Sequence, residues 1–177
     1  KEVKKVVSAR ELWVKILQNR METGEPYVMF EDAVNNDLPS FQQKKGLYVN
    51  HSNLCSEITL PTNEERTAVC CLSSVNLEYF DEWKNHASFI PDLVRFLDNV
   101  LQYFIDNAPS QLEKAKYSAY RERSIGLGAM GFHAYLQKNN IPFEGPVAAS
   151  ANHMIFKHIK DGAMEETLQL AVERGAC

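Results

Sequence analysis

Apolar residues recur along this chain at two different periods, and the switches between them outline its elements. Ser8-Ala9-Arg10-Glu11 has the S-x-x-E form of a capping box, and Leu12, Trp13, Ile16 and Leu17 give an apolar helical face that stops before Gly24. This predicts a helix over about 9–22. Residues 26–30 are an apolar run of strand length, followed by a polar segment with Asn35-Asn36-Asp37 and Pro39, a pattern that reads as a buried strand leading to a short helix and loop. Residues 40–52 show little periodicity and read as a connection into an extended segment over 53–60, which Pro61-Thr62-Asn63-Glu64-Glu65 ends with turn chemistry. A second β-like run, 67–73, follows closely enough to lie beside the first and bring Cys70 or Cys71 toward Cys55.

From Phe89 the period changes. Leu93, Phe96, Leu97, Val100, Leu101 and Phe104 recur at spacings of three and four, predicting a long amphipathic helix, packed by its phenylalanines, that Pro109 ends. A second helix over 111–123 runs into Ser124-Ile125-Gly126-Leu127-Gly128-Ala129, short and glycine-bearing like a tight buried strand or a strand-to-helix turn. Helices over 131–139 and 146–174 follow, with Asn139, Asn140 and Pro142 between them and Gly175 at the end. Strands alternating with long helices give an α/β fold class, and no repeat or linker divides the chain.

Composition narrows the function classes. A chain of 177 residues that is 45% hydrophobic is long and apolar enough for a packed core. Its charge of −4 comes from 23 acidic and 19 basic residues scattered without a basic stripe, which argues against direct nucleic-acid binding. No run of about 18 apolar residues suggests a membrane span. Four cysteines without C-x-x-C spacing fit a reducing, cytoplasmic setting in which a single thiol is free to react.

The candidate chemistry lies at Ser52-Asn53-Leu54-Cys55-Ser56-Glu57-Ile58, where an amide, a thiol and a carboxylate alternate. On an extended strand Asn53, Cys55 and Glu57 share one face, roughly 6.5 to 7 Å apart at each step, whereas a helix scatters them. The plain alternative is a surface strand with a polar face, since an unpaired cysteine is more often filler than nucleophile. A zinc site from His51, Cys55, Cys70 and Cys71 fits no usual spacing, so no metal is expected here. Gly126, Gly128 and Gly131 spell G-x-G-x-x-G, but no acidic residue stands where a dinucleotide site needs one, and close backbone packing is the better reading. His133, His153 and His158 sit on predicted helices as surface or capping groups.

Three blocks in order change this balance: the Asn53-Leu54-Cys55-Ser56-Glu57 trio, Cys70-Cys71-Leu72-Ser73-Ser74-Val75-Asn76-Leu77, and Arg121-Glu122-Arg123-Ser124-Ile125-Gly126-Leu127-Gly128. Together they resemble the catalytic large subunit of class I ribonucleotide reductase. The likeness extends from Thr23-Gly24-Glu25-Pro26-Tyr27 to Glu173-Arg174-Gly175-Ala176-Cys177.

The resemblance implies part of a ten-stranded α/β barrel with a finger loop carrying Cys55 at its tip. It implies radical reduction of ribonucleoside diphosphates to deoxyribonucleoside diphosphates, with Cys55 as the thiyl radical that abstracts the 3′ hydrogen. Glu57 takes the 3′-hydroxyl proton, Asn53 orients the ribose, and Leu54 and Ser56 complete the substrate-binding stretch. Cys70 is one of two thiols that reduce the 2′ position and end as a disulfide, while Cys71 packs on the opposite face. An apolar collar of Leu54, Ile58 and Leu72 is expected to shield Cys55 and keep it a neutral thiol with a hydrogen to lose.

The resemblance further implies that no cofactor binds in this stretch. A metal-containing small subunit supplies the radical, and a thioredoxin- or glutaredoxin-type thiol serves as external reductant. Residues 1–177 then form a single segment of the barrel. The ATP-type effector region, the second redox thiol, the phosphate-binding loop and the radical-relay tyrosines lie in flanking segments that are partners of this one, and the whole assembly is a dimer. The rival expectation is a non-catalytic scaffold or interaction segment that retains the pattern. A diphosphate substrate is favoured over a triphosphate by the class I likeness alone.

Overall fold

The computed structural model describes residues 4–177. Lys1, Glu2 and Val3, which the pattern places ahead of the first helix, lie outside the described residues. Two compact units follow one another, Lys1–Asn63 and Glu64–Cys177.

In the first unit the capping box forms as read: Ser8 Oγ accepts from the Glu11 N–H at 3.4 Å, and helix α1 spans Ala9–Thr23. Gly24, at φ 82°, closes it in the left-handed conformation that glycine adopts without strain. The apolar face is present but uncovered, because no residue of α1 is buried and Leu12 remains 52% exposed. The strand expected over 26–30 is absent. Pro26 offers no amide donor to a ladder, and the described residues of this unit hold no strand for the run to pair with. Two short helices follow instead, α2 (Glu31–Asn36) and α3 (Ser40–Lys44), the latter inside the stretch expected to be a plain connection.

The second unit is built on two parallel strands, β1 (Cys71–Asn76) and β2 (Ile125–Met130), paired from Cys71 opposite Ile125 to Asn76 opposite Met130. Parallel neighbours need a crossover, here carried by α4 (Phe80–Trp83), α5 (Phe89–Asn107) and α6 (Glu113–Glu122). After β2 come α7 (Phe132–Lys138) and α8 (Pro146–Arg174), whose start has the proline that the first helical position tolerates. The expected second strand is therefore real but shifted from 67–73 to Cys71–Asn76, and its partner is β2, not the Cys55 segment.

The core of this unit joins Val75 and Leu77 to Phe80, Trp83, Ile90, Leu136, Ile155 and Ile159. Phe80 meets Trp83 edge-on at 4.9 Å, and Trp83 stacks on Phe89 at 4.8 Å. His158 belongs to the same aromatic group, 5.7 Å from Phe80, and so is a packing histidine more than a surface one. On α5 the buried stripe is Ile90, Val94, Leu97, Leu101 and Ile105. The phenylalanine series was expected to be core, but Phe96 is 59% exposed and Phe104 only half-buried. The stripe runs one residue out of step with Phe96, and a step of about 100° carries a side chain from core to edge.

Candidate active site

The Cys55 segment is a turn, not a strand. The Ser56 N–H donates to the Asn53 carbonyl at 3.1 Å, and Ser56 sits at φ 65°, so Leu54 and Cys55 form the tip of a tight loop. The expectation that Asn53, Cys55 and Glu57 share one face of an extended strand is thus corrected: the three stay on one loop, but the chain reverses between them. Serine and asparagine side chains compete for backbone partners, and here Ser52 and Asn53, ahead of the thiol, take the main-chain groups of Ile58 beyond it.

The two arms of the loop are stitched by one main-chain bond and several from side chains. The Thr62 N–H donates to the Tyr48 carbonyl at 3.1 Å, and Asn50 Nδ2 donates to the Thr62 carbonyl at 2.5 Å. Nearer the tip, Ser52 Oγ donates to the Ile58 carbonyl at 2.7 Å, and the Ile58 N–H donates to Asn53 Oδ1 at 3.0 Å. Below both, Asn35 holds the buried Val49 by a reciprocal pair, its Nδ2 donating at 2.9 Å and its Oδ1 accepting at 2.8 Å. The backbone-binding roles of Asn35, Asn50, Ser52 and Thr62 go beyond the sequence reading. The signal was there as short polar side chains in a stretch without apolar period, which mark backbone-binding turns.

At the loop tip the thiol and its neighbour stand in the open. Cys55 is exposed and Leu54 is 83% exposed, while Leu72 is 57% exposed on β1. A loop tip offers no second layer of side chains, so any shielding must come from surfaces packed against it.

Cys70 immediately precedes β1 in the second unit and is half-buried. The strand passes so close to β2 that a Cβ on Gly126 would lie 2.5 Å from Leu72 Cδ2 and 3.6 Å from Cys70 Sγ. At Gly131, with φ 79°, it would lie 2.3 Å from Asn76 Oδ1. The glycine motif thus serves close backbone approach, with Asn76 Oδ1 accepting the Glu78 N–H at 3.1 Å. Cys71 faces the core beside Leu101, Ile105 and Ala119, where burial pushes its thiol pKa up.

Upstream of Cys70, Arg66 Nη1 pairs with Glu122 Oε1 on α6 at 2.6 Å, both side chains largely buried. The Thr67 N–H donates to the Lys114 carbonyl at 3.3 Å, so two contacts tie the approach to Cys70 onto one helix. Burial raises the Glu122 carboxyl above its ordinary range, outweighing the pull of Arg66 and Ser118 in the other direction. At the far end of the unit, Asp98 holds Arg123 at 2.8 Å and also pairs with Arg174, beside a cavity of about 180 Å³ lined by Val94, Ile125 and Leu170.

Comparison with known proteins gives the family. The family model for the ribonucleotide reductase barrel domain matches residues 1–177. The ribonucleoside-diphosphate reductase large subunit of Invertebrate iridescent virus 3 is 51% identical over 98% of this chain and 28% of its own length. A putative large subunit from Frog virus 3 is 52% identical over 96% of this chain and 30% of its own. Among solved structures, the class Id ribonucleotide reductase alpha subunit of Actinobacillus ureae superposes with a TM-score of 0.85 at 42% identity, covering 94% of this chain and 32% of that one. The chain belongs to the ribonucleotide reductase barrel-domain family, and it spans less than a third of each of these relatives.

Proposed function

We propose that this chain is the thiyl-bearing part of a ribonucleotide reductase catalytic barrel, with the turn at Leu54-Cys55 as the tip of its finger loop. The observation that carries the reading is a thiol held at the apex of a loop closed on both sides, in a chain matched end to end by the barrel-domain family. The substrate is a ribonucleoside diphosphate, as the names of the relatives suggest.

The chemistry divides among the chain's own groups. A thiyl radical at Cys55 takes the 3′ hydrogen, forming S–H and breaking C–H, and Glu57 accepts the 3′-hydroxyl proton. The 2′-hydroxyl leaves as water. Cys70 and a second thiol outside this chain deliver two electrons and two protons in total and end as a disulfide. The hydrogen held on Cys55 then returns to C3′, restoring the thiyl, and Glu57 gives its proton back to the 3′ oxygen. Asn53 holds the ribose in register, since a general base works only within hydrogen-bond reach of its proton. A metal-containing small subunit supplies the radical, an external dithiol reopens the disulfide, and the assembly works as a cytoplasmic dimer.

Cys55→Ala in the complete large subunit tests the reading. Turnover to deoxyribonucleotide is expected to vanish while nucleotide binding, followed by equilibrium dialysis, stays within about twofold of wild type, a change small against the tenfold that 1.4 kcal/mol represents. Appreciable residual turnover would sink the thiyl assignment and favour a scaffold role.

A further inference from the structure

The loop that presents Cys55 is held by side chains doing what a β-ladder does elsewhere. Ile58 has both main-chain groups engaged from across the loop: its carbonyl accepts from Ser52 Oγ at 2.7 Å, and its N–H donates to Asn53 Oδ1 at 3.0 Å. Ser52 Oγ also lies 3.3 Å from Asn53 Oδ1, the longer of its two contacts. The single hydroxyl proton is better spent on Ile58, at the shorter distance. Three residues past Ser52 the thiol stands at the apex, in a turn closed by the Ser56 N–H donating to the Asn53 carbonyl at 3.1 Å.

We infer that Ser52 is a positioning residue, which clamps the base of the Cys55 loop to Ile58 and so holds the Ile58 N–H on Asn53 Oδ1, leaving the Asn53 Nδ2 edge for the substrate. The inference rests on the radical reading of Cys55 above. Hydrogen abstraction needs sulfur and the C–H bond aligned at close range, and a displacement of about 1 Å can cost on the order of a hundredfold in rate. Exposure makes the clamp matter more. Cys55 has little packing of its own to hold it, so the loop's internal hydrogen bonds set where the sulfur sits.

The test uses the complete large subunit with its small subunit and a thiol reductant, comparing wild type, Ser52→Ala, Ser52→Thr and Cys55→Ala. In Ser52→Ala, kcat should fall by roughly tenfold to a hundredfold, with KM changed by less than about twofold. The deuterium isotope effect on kcat with 3′-deuterated substrate should rise, because abstraction becomes a larger share of the barrier. Ser52→Thr keeps the hydroxyl and should recover most of the rate. Wild-type kcat and isotope effect in Ser52→Ala, alongside an inactive Cys55→Ala, would overturn the clamp and leave the radical reading standing. Loss of nucleotide binding together with rate in Ser52→Ala, unrelieved by Ser52→Thr, would assign Ser52 to general folding and overturn it as well. An active Cys55→Ala would remove both.

Discussion

Single atoms decide how β1 and β2 approach, and two glycines separate the reasons. Gly131 combines φ 79° with an Asn76 oxygen 2.3 Å from where a Cβ would stand, and that oxygen is committed to the Glu78 N–H. Gly131→Ala should therefore lower stability by about 1–3 kcal/mol, the range for a strained backbone position. At Gly126 the nearest atom is the end of Leu72, whose side chain is 57% exposed and can swing away. Gly126→Ala should cost under about 1 kcal/mol, since reduced freedom of the unfolded chain offsets part of the crowding. Urea midpoints of the two variants check the order, and equal losses would contradict it. The glycine motif shows what sequence can and cannot carry: the spacing excluded a dinucleotide site, but only the register showed that Asn76 and Leu72 fill the space. The Cys55 trio shows the converse. Its residues were legible as a group from spacing, yet the strand geometry inferred from that spacing was not. Ser52 and Asn53 take the Ile58 main-chain groups that a ladder would have used.

At the scale of elements, periodicity located the long helices α5 and α8 because their buried stripes impose it. Helix α8 runs over the 146–174 stretch that the pattern marks out, and α5 ends before Pro109 as expected. Strands fared worse, since a two-stranded parallel pair takes its register from a partner far along the chain. The packing of α5 on α8 includes Gly162, where a Cβ would come within 3.2 Å of Ile90, and a charged pair farther along. Arg95 grips Glu173 with two nitrogens, at 2.7 and 3.0 Å, and also meets Glu166 at 2.6 Å. The Arg95 hydrogen bonds, helped by Gln169, hold the Glu173 carboxyl down at about 2 against an ordinary value of 4.5. A carboxylate whose pKa is lower in the folded state stabilises the fold above its unfolded value. That contribution is lost as pH falls from 4.5 toward about 2. Arg95→Gln should return the Glu173 titration toward 4.5 and make the loss of stability across that window shallower. Carboxyl NMR titration and acid unfolding of both proteins report the two effects, and an unmoved Glu173 titration would rule out Arg95 as the cause.

Among the described residues, strand edges and apolar faces are left open at the scale of the whole molecule. Parallel sheets are characteristically buried on both faces within larger sheets, yet among the described residues β1 and β2 pair only with each other, and Ala129 and Met130 at the end of β2 are exposed. Apolar side chains also stand in solvent on several helices: Trp13 and Met21 on α1, Phe96 and Tyr103 on α5, Leu168 and Val172 on α8. Strand edges and apolar faces of this kind call for cover, and in the proposed barrel the remaining two thirds of a large subunit would supply it. Two outcomes are expected of residues 1–177 alone. A hydrophobic dye should bind strongly, and no ribonucleotide should be reduced even with a small subunit and a thiol reductant present. Adding the complementary stretches of a large subunit as separate chains should lower dye binding and start deoxyribonucleotide formation, with activity lost again in Cys55→Ala. Lowered dye binding without turnover would mean that the surfaces dock but the chain acts as a scaffold. Turnover by the isolated chain would mean that the exposed Cys55 loop needs no cover, and the protection of its radical would have to be found within the loop itself.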